Sequence, residues 1–205
     1  MEPREALSQI TEIREQMAQG QVFRGYRSMT VGAVGLMGIL AAIAQPHLVP
    51  APADDLKSYL ALWTGVAALA SLLVTLATWR LVRETRSPLV RQTAILSAER
   101  LLPCAIVGAL ITVAIYRGAP DVGWMLPGLW SFVYGLAVFS SYRQLPRQAF
   151  WVGIYFATCG FGCLLWGQGA NAFSPWQMGI SFGGGLMLSA AILYWTLERT
   201  NESQE

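Results

Sequence analysis

Charge is scarce in this chain: 13% of its residues are Asp, Glu, Lys or Arg, where soluble domains carry about 25%. Six apolar stretches contain none of these residues, and no histidine, at mid-depth. Proton relays and ion pathways show themselves through ionisable groups inside the membrane, so that chemistry has no visible carrier. Histidine occurs once, as His47. A lone histidine excludes bis-histidine haem ligation within the chain and leaves a Ser-His-Asp triad without a positioned nucleophile. The three cysteines, Cys104, Cys159 and Cys163, all fall in apolar stretches, so no disulfide framework in the loops is expected. The first 27 residues are polar and contain no cleavable leader pattern. The first span is therefore expected to act as an uncleaved signal anchor. A net charge of +2 with no basic, aromatic-interleaved patch gives no argument for nucleic acid.

Hydrophobic residues, by contrast, make up 54% of the chain. The apolar stretches read as spans at 29–49, 59–81, 101–116, 122–141, 150–166 and 175–197, each near the roughly 20 residues that cross a bilayer as a helix. Twelve of the 14 Lys and Arg residues fall in alternate gaps, and the other gaps hold only Lys57 and Arg117. The positive-inside rule then predicts both termini in the cytoplasm. Tryptophan gives a second signal. Trp79, Trp151 and Trp195 fall at the predicted inner ends, Trp63, Trp124, Trp166 and Trp176 at the outer ends, and Trp130 well inside. Rings at both interfaces are expected of a membrane bundle. The predicted fold is all-α: a six-transmembrane-helix bundle over residues 28–199, preceded by a cytoplasmic amphipathic helix and linker (1–27) and followed by a short tail (200–205).

Outside the spans, residues 3–19 place Leu7, Ile10, Ile13 and Met17 at helical spacing. Lipid-surface helices are rich in Lys and Arg, whereas the chain up to residue 19 holds four Glu and two Arg. The stripe therefore predicts contact with protein rather than lipid. Ser87-Pro88 has the form of a cap followed by proline at the first helical position. A helix from Leu89 is expected to run on into the third span. Pro103 and Pro127 then fall within helices and are expected to kink them, as hinges or as static bends. Glu99 and Arg100 fit an interfacial ion pair.

Small residues form the strongest local patterns. Gly32, Gly35, Gly38 and Ala42 recur in the first span, and Gly153, Ala157, Gly160 and Gly167 in the fifth. Gly179 and Gly183 make a GxxxG in the sixth, extended by Gly184 and Gly185. Such faces let helix backbones approach closely. They predict packing within the chain first, with a self-association seam or a thin wall around a small ligand as the alternatives. Thr64, Thr75, Thr112, Ser131, Tyr134, Tyr155, Thr158, Ser181 and Ser189 are the uncharged polar groups read inside the spans. Trp130, Ser131 and Tyr134 beside Pro127 make the fourth span the place to look for a ligand cavity, set against the glycine faces of the fifth and sixth. Cys159 and Cys163 project from one side of a helix, yet desolvation at mid-bilayer opposes the thiolate that redox chemistry needs. His47 with Asp54 and Asp55 is read as a solvated outer loop rather than a cation site. No cofactor, metal or catalytic residue is expected.

The segments Phe23-Arg24-Gly25-Tyr26-Arg27, Leu126-Pro127-Gly128-Leu129-Trp130, Phe150-Trp151-Val152-Gly153, Ser174-Pro175-Trp176-Gln177-Met178-Gly179 and Leu193-Tyr194-Trp195-Thr196-Leu197-Glu198 resemble a group of small six-span bacterial inner-membrane proteins of unknown function. The resemblance covers nearly the whole chain. It implies a bacterial inner-membrane location and brings no catalytic or binding residues with it. Taken together, the expectation is a non-enzymatic membrane protein acting through helix packing and protein contacts, as a regulatory, sensory or scaffolding subunit. Its partners would be the bilayer and a protein or second copy met through residues 3–19 or the glycine faces. The alternative is a small transporter or channel for a neutral or lipophilic solute.

Overall fold

The computed structural model describes residues 28–85, 88–140 and 148–197, without side chains for 85, 88–90, 92–101 and 196–197. The stripe of Leu7, Ile10, Ile13 and Met17 lies outside the described residues, as do Ser87 and the side chains of Glu99 and Arg100. The described residues are helical, with no strand among them. Helix α1 spans Ser28–Leu48, α2 Leu56–Thr85 and α3 Pro88–Gly118. A 3-10 turn, Pro120–Met125, leads into α4, Leu126–Ser140, and α5 covers Ala149–Trp166. Helix α6 (175–197) joins an α turn (Pro175–Met178), a π segment (Gly179–Gly184) and an α stretch (Gly185–Leu197). Five of these units are long and apolar enough to cross a bilayer, and Leu102–Gly118 is a shorter apolar helix. The chain is a multi-pass helical bundle of membrane type.

Proline and glycine set the boundaries. Pro46, Pro50 and Pro52 crowd the end of α1 and the connection that follows it, where missing N–H groups prevent the helix from continuing. Asp55 Oδ1 accepts the Ser58 N–H at 3.1 Å and so caps α2. Helix α3 begins at Pro88 and carries Pro103 in its interior, as the sequence leads one to expect. Pro127 differs. It is the second residue of α4, directly after the 3-10 turn, where a missing N–H leaves no helical bond unmade. The irregularity therefore sits at the mouth of the fourth helix rather than as a bend within it.

Two antiparallel small-residue seams hold the bundle together. Along α1 and α6, methyl groups built on Gly32, Gly35 and Gly38 would meet the Ala190 Cβ at 3.4 Å, the Met187 nitrogen at 2.9 Å and the Gly183 Cα at 3.4 Å. One built on Gly179 would lie 2.9 Å from the Ala42 Cβ. Along α4 and α5 the same holds for Gly128 with Gly160 and for Gly135 with Gly153. Where lipid supplies no hydrophobic drive between helices, such close approach is what brings them together. Between the seams, Val152, Phe156 and Leu186 form a buried core with Val31, Val34, Tyr134 and Phe182 packed on it.

The remaining helices attach more lightly. Helix α3 meets α4 where Trp130 Nε1 donates to Thr112 Oγ1 at 2.9 Å. Helix α2 is held at its first two turns, where Tyr59, Leu60 and Trp63 are buried. Farther along, Leu69, Leu72, Leu73, Val74 and Leu76 are exposed. All three described connections meet at one end of the bundle, where Val49, Tyr59, Leu126 and Phe173 share a second buried cluster.

Candidate functional site

That second cluster holds the most elaborate polar arrangement among the described residues. Gln45 on α1 is 1% exposed. Its Nε2 donates to the Phe173 carbonyl at 2.8 Å, and its Oε1 accepts the Trp63 Nε1–H at 3.0 Å. One amide thus ties α1 to α2 and to the α5–α6 connection. Burying an amide without partners costs several kcal/mol in order of magnitude, so its satisfied bonds make Gln45 a specifying contact. Phe173 adopts a positive φ of 57°, a region that bulky residues rarely visit. Its carbonyl is fixed by Gln45, and its ring meets Tyr59 edge-on with centroids 4.8 Å apart. Together these contacts hold the unusual backbone in place.

The α5–α6 junction continues the cluster. Gln177 Nε2 donates to the Asn171 carbonyl at 2.8 Å. The Gln177 carbonyl accepts the Ser181 hydroxyl and lies 4.0 Å from the Cys163 sulfur. Two polar atoms here are buried without a hydrogen-bond partner among the described residues: the Tyr59 hydroxyl and Gln177 Oε1.

One turn farther along, the π segment is bound from the side. Tyr155 on α5 donates its hydroxyl to the Ile180 carbonyl at 2.8 Å. The Gly185 N–H goes to the Phe182 and Ser181 carbonyls, the ordinary helical pattern, so the wide turn lies before it, beside Tyr155. Glycine at 184 and 185 makes room for this, because added methyl groups would lie 2.6 Å from the Tyr155 oxygen and 2.5 Å from the Phe156 ring. Wide turns of this kind occur mostly as single insertions, frequently at functional positions.

The residues singled out from sequence are distributed rather than gathered. Gly153 lies under the Phe139 ring and Gly160 against the Gly128 carbonyl, while Gly179 and Gly183 lie on Ala42 and Ile39. Ala157 faces Gly135 across the α4–α5 seam. Trp130 turns to α3, whereas Tyr134 meets Phe156 at a tilt and Phe182 edge-on, with centroids 4.6 and 5.7 Å away. Ser131, fully buried, donates to the Pro127 carbonyl of its own helix at 2.8 Å. The glycine faces are thus covered by neighbouring helices, and Trp130, Ser131 and Tyr134 point to different surroundings. Gly167 ends α5 rather than extending its smooth face.

Thr64, Thr75, Thr112 and Thr158 each donate to a carbonyl one turn back, as does Ser71. Trp63 stands at the level expected of an interface ring but is buried, with its N–H spent on Gln45. His47, Asp54 and Asp55 are exposed, and Asp55 is engaged in capping. Among the described residues no group of three His, Cys, Asp or Glu is placed to hold a metal.

Sequence reading missed Gln45, Tyr59 and Gln177. The signal was available: Gln45 is an amide inside the first apolar stretch, and Gln177 follows the Ser174-Pro175 start of the sixth. No family model, curated protein or solved structure matches this chain.

Proposed function

We propose that this chain is a non-enzymatic integral membrane protein that acts through protein contacts, as a regulatory, sensory or scaffolding subunit. In this reading it crosses the membrane six times, with the third crossing made by the shorter apolar part of α3, and keeps both termini in the cytoplasm.

The carrying observation is the uneven cover of the helices. The apolar window of α2 is 11% buried, against 33–39% in the other four long apolar units. Helix α2 also presents Gly65, Ala68, Ser71 and Thr75 along one side, all exposed. Among the described residues nothing lies within 4 Å of a methyl built on Gly65. The small faces of α1, α4, α5 and α6 are all used for helix contact, so an uncovered face of the same kind favours a further helix over lipid alone.

Two other features support the reading. Among the described residues, the charged side chains and the single histidine are absent from the buried set, whose polar members are Ser28, Gln45, Ser131 and Ser181. Acid–base chemistry most often draws on a His, Asp or Glu held in reach of a substrate. At the other end of α2, the Arg83 guanidinium lies 3.7 Å over the Trp79 ring, an arrangement suited to a membrane boundary.

The test has two arms in native membranes. Photo-crosslinking groups placed at Ala68 and Thr75 are expected to capture one and the same protein. Deleting residues 2–19 is expected to weaken that capture if the polar N-terminal segment shares the partner. Crosslinks to lipid alone from both α2 positions would contradict the proposal.

A further inference from the structure

The two orphaned atoms at the bundle end point to a ligand site. The Tyr59 side chain is 0% exposed, yet its hydroxyl has no partner among the described residues. Gln177 Oε1 is in the same position, although its own Nε2 is bonded to Asn171. Buried polar groups in native proteins are almost always satisfied, and each exception calls for an explanation. Two exceptions in one neighbourhood share an explanation more economically than they have two separate ones.

The neighbourhood is shared on several counts. Tyr59 and Met178 belong to one buried cluster, and Gln177 immediately precedes Met178. The Tyr59 hydroxyl is within electrostatic range of the Cys163 thiol, and that sulfur lies 4.0 Å from the Gln177 carbonyl. The groups around them are otherwise occupied. Gln45 is bonded at both ends of its amide, Trp63 donates to Gln45, and Ser181 donates to Gln177.

We propose that the Tyr59 hydroxyl and the Gln177 amide oxygen together bind one small, uncharged hydroxyl-bearing molecule, either water or a short alcohol. The chemistry of the two atoms sets this class. An amide oxygen only accepts, so the bound molecule must donate to Gln177; a phenol both donates and accepts, so either sense serves at Tyr59. An ion is disfavoured because the buried polar residues are uncharged among the described residues. Trp63, Phe173, Met178 and Leu126 share the buried apolar cluster to which Tyr59 belongs. The proposal stands apart from the protein-contact reading and does not depend on it.

The first test is a double-mutant cycle on the full chain in lipid nanodiscs, read as the thermal unfolding midpoint of wild type, Tyr59→Phe, Gln177→Met and the double variant. A shared ligand predicts a lower midpoint for Tyr59→Phe and a loss in the double variant that falls short of the two single losses combined. The Gln177 bond to Asn171 is lost in both backgrounds and cancels from the comparison. A higher midpoint for Tyr59→Phe, as expected when an unsatisfied hydroxyl is removed, would overturn the proposal, and so would strict additivity.

The second test is an experimental density map that shows ordered solvent. A peak about 2.7–3.0 Å from both oxygens supports the site. A direct Tyr59–Gln177 bond with nothing between overturns it. Glycerol titration then separates the two sources. A rising midpoint in wild type that is absent in Tyr59→Phe assigns an alcohol, and equal responses in both assign water.

Discussion

Gly128 on α4 and Gly160 on α5 meet backbone to backbone: a methyl group built on either would lie 2.9 Å from the carbonyl oxygen of the other. The contact is reciprocal, and the Gly128 side also meets Leu164 at 2.9 Å. No side chain can be added there without moving one helix off its neighbour. Gly160→Ala is therefore expected to destabilise the bundle by about 1–3 kcal/mol, the usual cost of overpacking. Gly65→Ala is the control, since among the described residues nothing lies within 4 Å of the added methyl. It is expected to be neutral or stabilising by up to about 1 kcal/mol through helix propensity. Reversible unfolding in mixed micelles measures both.

The Tyr155 bond to Ile180 and the glycine at 184 describe one contact seen from two helices. Removing the hydroxyl (Tyr155→Phe) or displacing it (Gly184→Ala) should each cost on the order of 0.6–1.7 kcal/mol, the range of interhelical hydrogen bonds in membranes. Because both changes remove the same bond, the double variant should be little worse than either single one. Additive losses would show that the π segment does not depend on Tyr155.

Gln45 is the polar residue whose loss should be felt most. Gln45→Leu leaves the Phe173 carbonyl and the Trp63 N–H without their partner. Each orphaned group costs about 1–3 kcal/mol. Trp63→Phe removes only one of the two bonds, so its polar share of the loss should be smaller. Thermal unfolding of the two single variants and their double compares these costs, and the double should fall short of additivity.

Asp55 carries the pH dependence of the outermost contact. Its carboxyl is held below the ordinary 3.8 first by the Ser58 hydrogen bonds, with the Lys57 charge adding to them. A lowered pKa means that the folded state favours the carboxylate. The contribution is therefore full above the ordinary value and is lost as pH falls through the lowered one. The group is fully exposed, so the effect is small. Asp55→Asn keeps a capping oxygen and should remove this component of the acid-side slope while leaving stability at neutral pH nearly unchanged. Unfolding midpoints between about pH 2 and pH 7 would show it.

Helix positions were legible because lipid imposes length and apolarity on anything that crosses it. The Ser87-Pro88 signal anticipated the start of α3 at Pro88, and the apolar limits of the fifth span match α5 to within one residue. Pro127 was misplaced because a 3-10 turn before it moves the helix start, and hydropathy does not distinguish the two helical forms. The glycine patterns announced close contact without saying which faces pair. That Gly38 meets Gly183 while Gly128 meets Gly160 follows from three-dimensional register, which no local period encodes.

Gln45 was hidden for a related reason: its partner Phe173 lies 128 residues away, and a single amide barely lowers the apolarity of a span. The π segment is likewise a tertiary feature, since Tyr155 holding Ile180 belongs to another helix.

The central claim is that the exposed small face of α2 meets protein. Site-specific photo-crosslinking from Ala68 and Thr75 in native membranes, with the buried Phe156 position as control, tests it most directly. The account predicts one protein adduct of the same mass from both α2 positions and none from Phe156. Lipid adducts alone from Ala68 and Thr75 would contradict it.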